Sequence, residues 1–448
     1  MEWYWAGAIL MGSVMIGMSL GFPVAMTFLI TNIIGTLVFV IKDYSSVQAF
    51  AREAQFKLPQ ILDSATDSIT SFTLVPIPMF VLMGALFFHT GLALGVFDTL
   101  DKLLGNLRGR LCYLTVMGGA LFSTLTGSTM ANTAMLGSLM VPEMQRRGYS
   151  KHMSMGPVLG TGGLAMIIPP SSLGVLLASI AGLDVGKVLI AGIIPGFLLA
   201  VFYACAIWIQ IRINPDSAPV YAVEKTPFLQ KLWLVVAHIM PMGLIVFMVI
   251  GFIVLGIATP SESACFGVTG VILLAIIKGK LTWPAMSKSL IATIRTVGMV
   301  FFILMNSIVF SQLLSLSGAS RGFVGWATAF QLAPILILIA MFVVLLLLGM
   351  FMDQVSMMMI TTPIFFPIAI ALGYDPIWFA LIVLLALEMS ATTPPFGLLL
   401  FIMMGLVRGT TLGQVALAAA PYLACDLVLV VMLIVFPPLA LWLPSMIG

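Results

Sequence analysis

The 448-residue sequence predicts an all-α polytopic membrane protein. It reads as two inverted structural repeats, with about ten spanning helices, two re-entrant helical hairpins and two broken helices. Three observations predict this class. Hydrophobic residues make up 61% of the chain and charged residues 8%, against roughly a quarter charged in soluble domains, and no water-soluble fold hides that much apolar surface. The apolar runs are about 20 residues long with few charges, the length of a helix crossing the hydrocarbon core rather than of a barrel strand. The same punctuation also occurs twice. "GYSKHMSMGPVLGTGGLAMIIPPS" opens at Gly148 and "GYDPIWFALIVLLALEMSATTPPF" at Gly373, and in both a Pro-Pro pair falls 21 residues after the glycine (148 to 169, 373 to 394).

The spans follow in order. The opening "MEWYWAGAIL" lacks a basic n-region and a small-residue cleavage site, so 3–20 reads as an uncleaved first helix with an aromatic belt. Spans 22–41 and 73–90 follow, then a run from 111 to 144 interrupted by "TGST" at 126–129. Further spans are 152–181, 186–211, 232–258, 263–278 and 297–317; a second interrupted run covers 332–372, and 376–407 and 412–440 close the chain. Segments 45–70 and 282–296 are more polar and amphipathic and read as helices lying in the interface. There is no soluble domain; the longest polar stretches lie around 42–70 and 212–231.

Each interrupted run is long enough for two passes if folded at its middle, where turn-forming polar residues stand: "TGSTMAN" at 126–132 and "GMFMDQVS" at 349–356. A re-entrant hairpin has both mouths on one side. Arg108 and Arg110 flank one mouth of the first and Arg146, Arg147 and Lys151 the other, so the positive-inside rule makes both cytoplasmic. The second, between Gln331 and Asp375, has no flanking Lys or Arg and opens outward. The intervening spans then place Arg212, Lys225, Lys231, Lys278, Lys280 and Arg408 inside, with Glu262 and both termini outside. Asn132 precedes Pro142 by ten residues and Asp353 precedes Pro363 by ten, so the halves align from tip to double proline with a four-residue insertion after Pro363. Inverted repeats with interrupted helices point to a secondary transporter.

A double proline removes two backbone donors and breaks the helix. Freed amides and carbonyls in lipid cost several kcal/mol each, so such breaks are tolerated where they line a polar site. A half-helix N-terminus offers N–H groups and positive dipole to an anion, while half-helix C-termini and unwound carbonyls suit Na⁺. The bland reading makes Pro169-Pro170 and Pro394-Pro395 simple kinks; matched spacing and the flanking hydroxyls of Ser171, Ser172, Thr392 and Thr393 favour the functional one. At the tips, Gly127, Ser128 and Asn132 are expected to face the first break, and Gly349, Asp353 and Ser356 the second. Asp353 lies deep in an apolar run, where an ionised group costs at least about 3 kcal/mol. A bound cation and a protonated carboxyl donating to a carbonyl are the two ways to meet that cost. For Glu388, six residues before Pro394, a cation contact and a structural hydrogen bond stand equal. Asp426 reads as a packed polar residue, and His89 and His238 as interfacial. No Lys or Arg falls near either tip or break in the sequence, so an anion is expected to be held by dipoles and cations rather than by a buried Arg.

Several classes are excluded. A net charge of +3 is too small to argue for nucleic acid. Cys112, Cys205, Cys265 and Cys425 lie in apolar segments without metal spacing and read as core thiols. No HExxH, no paired His and Asp in a span and no nucleophile–base pair is present, so the chain does not read as an enzyme.

"SFTLVPIPMFVLMGALF" (71–87), "GSTMANTAMLGSLMVPEMQRRGYSK" (127–151), "IIPPS" (167–171), "LIAGIIPG" (189–196) and "TTPPFGLLLF" (392–401) together resemble the large membrane subunit of tripartite ATP-independent periplasmic (TRAP) transporters, the DctM type. The resemblance covers essentially the whole chain. Two departures are Ala165, where a second glycine is expected before "IIPPS", and "SLGVLLASIAG", which lacks a tyrosine after the break.

The resemblance implies Na⁺-driven uptake of a small organic acid, carboxylate or sialic-acid-like, in the bacterial inner membrane. The acid would be delivered by a periplasmic binding protein of the DctP type, with a small four-helix DctQ-type subunit as a separate partner chain. It implies no cofactor beyond Na⁺ as coupling ion, and an elevator-type mechanism. The transport unit would comprise 111–181 and 331–407, and the scaffold 1–110, 182–330 and 408–448. Carried over by motif, Gly127, Ser128, Asn132, Pro169 and Ser171 would frame one Na⁺ site, and Gly349, Asp353, Thr392, Thr393 and Gly397 the other. Ser128, Thr129, Ser172, Ser356 and Thr393 are the hydroxyl candidates for contact with the solute. The alternative is a stand-alone Na⁺/dicarboxylate symporter that works without a binding protein.

Overall fold

The structure is a computed structural model that describes residues 2–41, 46–126, 129–219, 227–329 and 333–446. Among the described residues the chain forms 22 α-helices and no strand. Gly127 and Ser128 of the first tip, and Lys225 and Gln331 among the charge markers, lie outside the described residues.

In the first half, α1 (Trp3–Ser19) and α2 (Val24–Gly35, continued by a π-helical stretch to Val40) are joined through Gly21, whose φ of 82° only glycine adopts freely. The polar segment forms α3 (Val47–Ile69), N-capped by the Ser46 hydroxyl, which accepts from the Ala49 amide at 3.1 Å. Then come α4 (Pro76–His89), α5 (Leu92–Leu104), α6 (Arg110–Thr126) and α7 (Thr129–Arg146). α8 (Lys151–Ile167) and α9 (Ser172–Ile180) meet at 44° across the first double proline, and α10 (Val185–Ala191) and α11 (Ile193–Ile213) follow.

The second half repeats part of that order. It comprises α12 (Phe228–Leu234), α13 (Met240–Val254), α14 (Pro260–Ile277), α15 (Trp283–Leu316) and α16 (Ala319–Ala329). α17 (Pro334–Gly349) and α18 (Gln354–Ala371) form the second interrupted run. α19 (Pro376–Thr392) and α20 (Leu398–Leu406) flank the second double proline, and α21 (Leu412–Val435) and α22 (Pro438–Ser445) end the chain. Both halves contain a short helix, a helix pair and a helix broken at a double proline in the same order, whereas the polar segment is a separate helix only in the first.

Three differences from the sequence expectation have local causes. α5 and α16 were not expected; each follows a single left-handed glycine, Gly91 (φ 69°) or Gly318 (φ 77°), too brief a signal to mark a new element. The expected arm 282–296 and span 297–317 are one continuous 34-residue helix, because Gly298 costs only about 1 kcal/mol in a helix and does not end it. The core thiols hold only in part: Cys112 is buried, whereas Cys205 and Cys265 are exposed on the helix surface. Lipid is as apolar as a protein interior, so an apolar neighbourhood does not locate a thiol in the core.

Seven helical segments among the described residues are long and apolar enough to cross a bilayer, and the α8/α9 pair adds an eighth. α1, α2, α17 and α19 are apolar but shorter. The core axis is formed by the two helices that precede the breaks. Met153 to Ile167 of α8 and Trp378 to Thr392 of α19 are buried without exception. Close approach is achieved by small residues: a Cβ on Gly156 or Gly160 would stand 2.7 or 2.5 Å from the ring of Tyr422 on α21. Large apolar side chains such as Trp233, Ile277 and Phe197 point outward, as lipid-facing residues do.

Candidate functional site

α8 stops at Ile167, where Pro169 and Pro170 supply no amide to continue it, and both double prolines (Pro169-Pro170, Pro394-Pro395) have cis peptide bonds. Ser171 restarts the chain as the N-cap of α9, its hydroxyl accepting from the Gly174 amide at 3.1 Å. Gly196 holds the α11 backbone against the break; a Cβ there would stand 2.6 Å from Ile168 Cγ1. α19 ends likewise at Thr392, and Gly397 accepts close backbone, since its Cβ would lie 2.6 Å from the Ala391 carbonyl and 2.9 Å from that of Thr393. The Thr392 and Thr393 hydroxyls both donate back to the Met389 carbonyl, at 3.1 and 2.6 Å.

The second tip packs against α19 and the second break through Gly349, Phe351 and Gln354. The rings of Phe351 and Phe396 lie 5.5 Å apart, Gly349 sits where a Cβ would overlap Ser390, and Gln354 Nε2 donates to the Leu387 carbonyl at 3.4 Å. Asp353 is the N-cap of α18. Its Oδ2 accepts from the Val355 and Ser356 amides, both at 3.1 Å, and its Oδ1 from the Ser356 hydroxyl. Among the described residues its partners are thus the amides and hydroxyl of its own first helical turn, and no carbonyl is among them.

At the first hairpin Asn132 does not meet the break. Its Nδ2 donates to Ser123 Oγ at 2.7 Å and to the Thr161 carbonyl at 3.0 Å, eight residues before Pro169. Thr129, Asn132 and Thr133 share one face of one helical turn, being spaced i, i+3, i+4. Thr129 Oγ1, Asn132 Oδ1 and Thr133 Oγ1 are all buried, and none has a hydrogen-bond partner among the described residues. Thr133 was not singled out in the sequence, although a polar stripe on an apolar helix was the available signal.

The two tips and the first break meet around a cavity of about 790 Å³. Thr129 and Ser138 line it from α7, Ser172 from α9, Asp353 and Gln354 from the second tip, and His89 and Arg295 from α4 and α15. Of the sequence candidates, Thr129, Ser172 and Asp353 are brought together here. Pro169, Ser171, Gly349, Ser356, Thr392, Thr393 and Gly397 are not among the residues that line it. The expectation of no basic residue nearby is corrected: the continuity of α15 carries Arg295 into the cavity lining.

Behind the cavity lies a second polar cluster. Glu388 is 1% exposed, a Cβ on Gly163 would overlap its carboxyl, and Oε2 has no partner. Asp426, also buried, accepts from the Tyr203 hydroxyl at 2.5 Å, the packed role expected of it.

Helix pairs and broken helices gathered on a largely apolar cavity that holds a few polar and charged groups define a membrane transporter. The fold is similar to that of the YdaH transporter of Alcanivorax borkumensis, with a TM-score of 0.63, 13% identity, and 93% of this chain and 98% of that one covered. MtrF of Neisseria gonorrhoeae is similar at a TM-score of 0.59 and 13% identity, over 86% and 84% of the two chains. The family described as "Tripartite ATP-independent periplasmic transporter, DctM component" matches residues 11–439, and this chain belongs to it. The C4-dicarboxylate TRAP transporter large permease protein DctM of Pseudomonas aeruginosa is 33% identical over 383 residues, 84% of this chain and 87% of that protein. Its Rhodobacter capsulatus counterpart is 28% identical over 85% of this chain and 88% of its own length. The isethionate TRAP transporter permease protein DctMQ of Oleidesulfovibrio alaskensis is 28% identical over 83% of this chain and 57% of its own length. The chain is accordingly a multi-pass permease of the inner membrane, the large component of a tripartite system, and not an enzyme.

Proposed function

We propose that this permease imports a small organic anion, a C4-dicarboxylate or a comparably small carboxylate or sulfonate, driven by Na⁺. The anion is handed over by a periplasmic binding protein, and the chain works with a small DctQ-type subunit. The observation that carries the Na⁺ reading is the trio of buried oxygens without donors, Thr129 Oγ1, Asn132 Oδ1 and Thr133 Oγ1. A buried acceptor left unpaired costs about 1–3 kcal/mol. Na⁺ wants several hard oxygens and no donors, so these side chains fit it, and further oxygens from the first tip would complete its shell. Asp353, with the carbonyls and hydroxyls of the second break, frames the other candidate ion position. Ion binding at the tips completes the wall of the cavity and closes it on the solute.

The two hairpins and the broken helices α8/α9 and α19/α20 move as one unit past α4 and α15, which line the other side of the cavity. The repeated element order supports this division, and the positive-inside rule places the His89 and Lys280 end at the cytoplasm. The test is reconstitution of the permease, small subunit and binding protein in proteoliposomes. Uptake of succinate or isethionate requires an inward Na⁺ gradient and the binding protein. Uptake at the same rate in K⁺ medium, or without the binding protein, overturns the reading.

A further inference from the structure

We propose that Arg295 is an anion-binding residue at the cytoplasmic mouth of the cavity, taking the carboxylate or sulfonate of the solute as it leaves, with Lys288 as the next contact outward. This rests on the transport reading above and adds to it where the solute is released.

Arg295 lines the cavity with its side chain exposed. The four ion pairs among the described residues lie elsewhere, joining Lys57 to Glu53, Arg110 to Asp101, and both Arg146 and Arg147 to Glu143. The carboxylate that shares the cavity, Asp353, is already held by the amides at the start of α18. The guanidinium is therefore uncommitted, in a cavity whose remaining polar groups are hydroxyls, an amide and His89. Lys288 precedes Arg295 by seven residues, two helical turns, so both lie on one face of α15 about 10 Å apart along its axis. Lys288 is also within electrostatic reach of His89 at the end of α4. A basic line thus runs from the cavity wall toward the end of α15 that the positive-inside rule puts in the cytoplasm.

The cleft between the other end of α15 and the close of α9 is different. Its volume is about 340 Å³, and its polar lining of Ser71, Thr73, Ser179, Ser307, Ser311 and Gln312 carries no charge. Among the described residues, fixed positive charge lines the larger cavity and not this cleft. Arginine's planar fork matches a carboxylate or sulfonate in a way that a hydroxyl cluster cannot. An anionic lipid headgroup offers the same chemistry, and the experiment separates the two sources.

The assay is counterflow of radiolabelled succinate or isethionate through the reconstituted three-part system, in vesicles of neutral lipid and in vesicles containing anionic lipid. Arg295→Gln raises the half-saturating solute concentration on the cytoplasmic face about tenfold, leaves the Na⁺ half-saturation unchanged, and does so in both lipids. Arg295→Lys recovers part of the loss, and Lys288→Gln gives a smaller shift of the same kind. Co-purification of each variant with the small subunit reports its folding. An unchanged solute half-saturation in Arg295→Gln overturns the proposal, as does an effect confined to anionic vesicles, which makes Arg295 a headgroup contact. A wild-type system that moves neither anion under a Na⁺ gradient overturns the transport reading itself, a result distinct from a silent Arg295 variant.

Discussion

Asn132 and Asp353 each stand ten residues before a proline, just past the tip of a hairpin, and their surroundings are opposite in kind. At the second tip the carboxylate is saturated by the helix it begins, two amides and a hydroxyl of its own first turn. At the first, three oxygens on one turn of α7 find no donor among the described residues. The charged residue is thus held in place by its own helix while keeping a charge to offer an ion, and the neutral trio is left without any partner. An ionisable group in an apolar run draws the eye, but a helix N-terminus supplies it with about half a positive charge. Buried hydroxyls without donors have no such local remedy.

Four sets of substitutions break or sharpen this contrast. Asp353→Ala removes both the cap and the charge and is expected to abolish Na⁺-dependent uptake while the complex still assembles. Asp353→Asn retains capping, so uptake lost equally in both assigns the effect to charge, and uptake at full rate with unchanged Na⁺ dependence in Asp353→Ala removes the residue from the ion site. Next in size, the isosteric pair Thr129→Val and Thr133→Val deletes two unsatisfied oxygens. Thermal stability without Na⁺ stays level or rises, whereas the Na⁺ concentration for half-maximal uptake rises at least about tenfold. A titration curve unchanged by the pair dissolves the contrast. Gly349→Ala forces a Cβ into Ser390 and unseats the second tip from α19; about 1–3 kcal/mol of stability is lost, measured by denaturation of the purified complex. Smallest is Ser356→Ala, which deletes one hydroxyl bond to Asp353 and costs about 0.5–1.5 kcal/mol by the same measurement.

The breaks were legible because proline chemistry is local: two missing amides interrupt a helix whatever surrounds it. The second tip was legible because polar and turn-forming residues, Gly349 and Asp353 among them, interrupt a long apolar run; that Asp353 caps α18 was not read from it. Family membership was legible in motifs spread over the whole chain, and the match over residues 11–439 agrees with it. Thr133 was not legible, because whether a hydroxyl is satisfied depends on neighbours from other helices, and Thr161 on the next helix looks identical in sequence yet bonds the Pro157 carbonyl at 2.7 Å. Arg295 was missed because polarity, rather than a turn former, was used to divide 282–296 from the span that follows. The burial of Glu388 against Gly163 likewise needs the packing of α8 on α19, which no spacing along one helix encodes.

That undivided α15 sets a mechanical asymmetry between the halves. In the first half, the polar α3 is separated from α4 by residues 70–75, a break in the helix that holds only a short 3-10 turn (Phe72–Leu74). In the second, 34 residues form a single strut about 51 Å long, and Arg295 of the cavity lining sits on it. A tilt at the start of that strut is carried to Arg295 as by a lever, since the helix is unbroken between them.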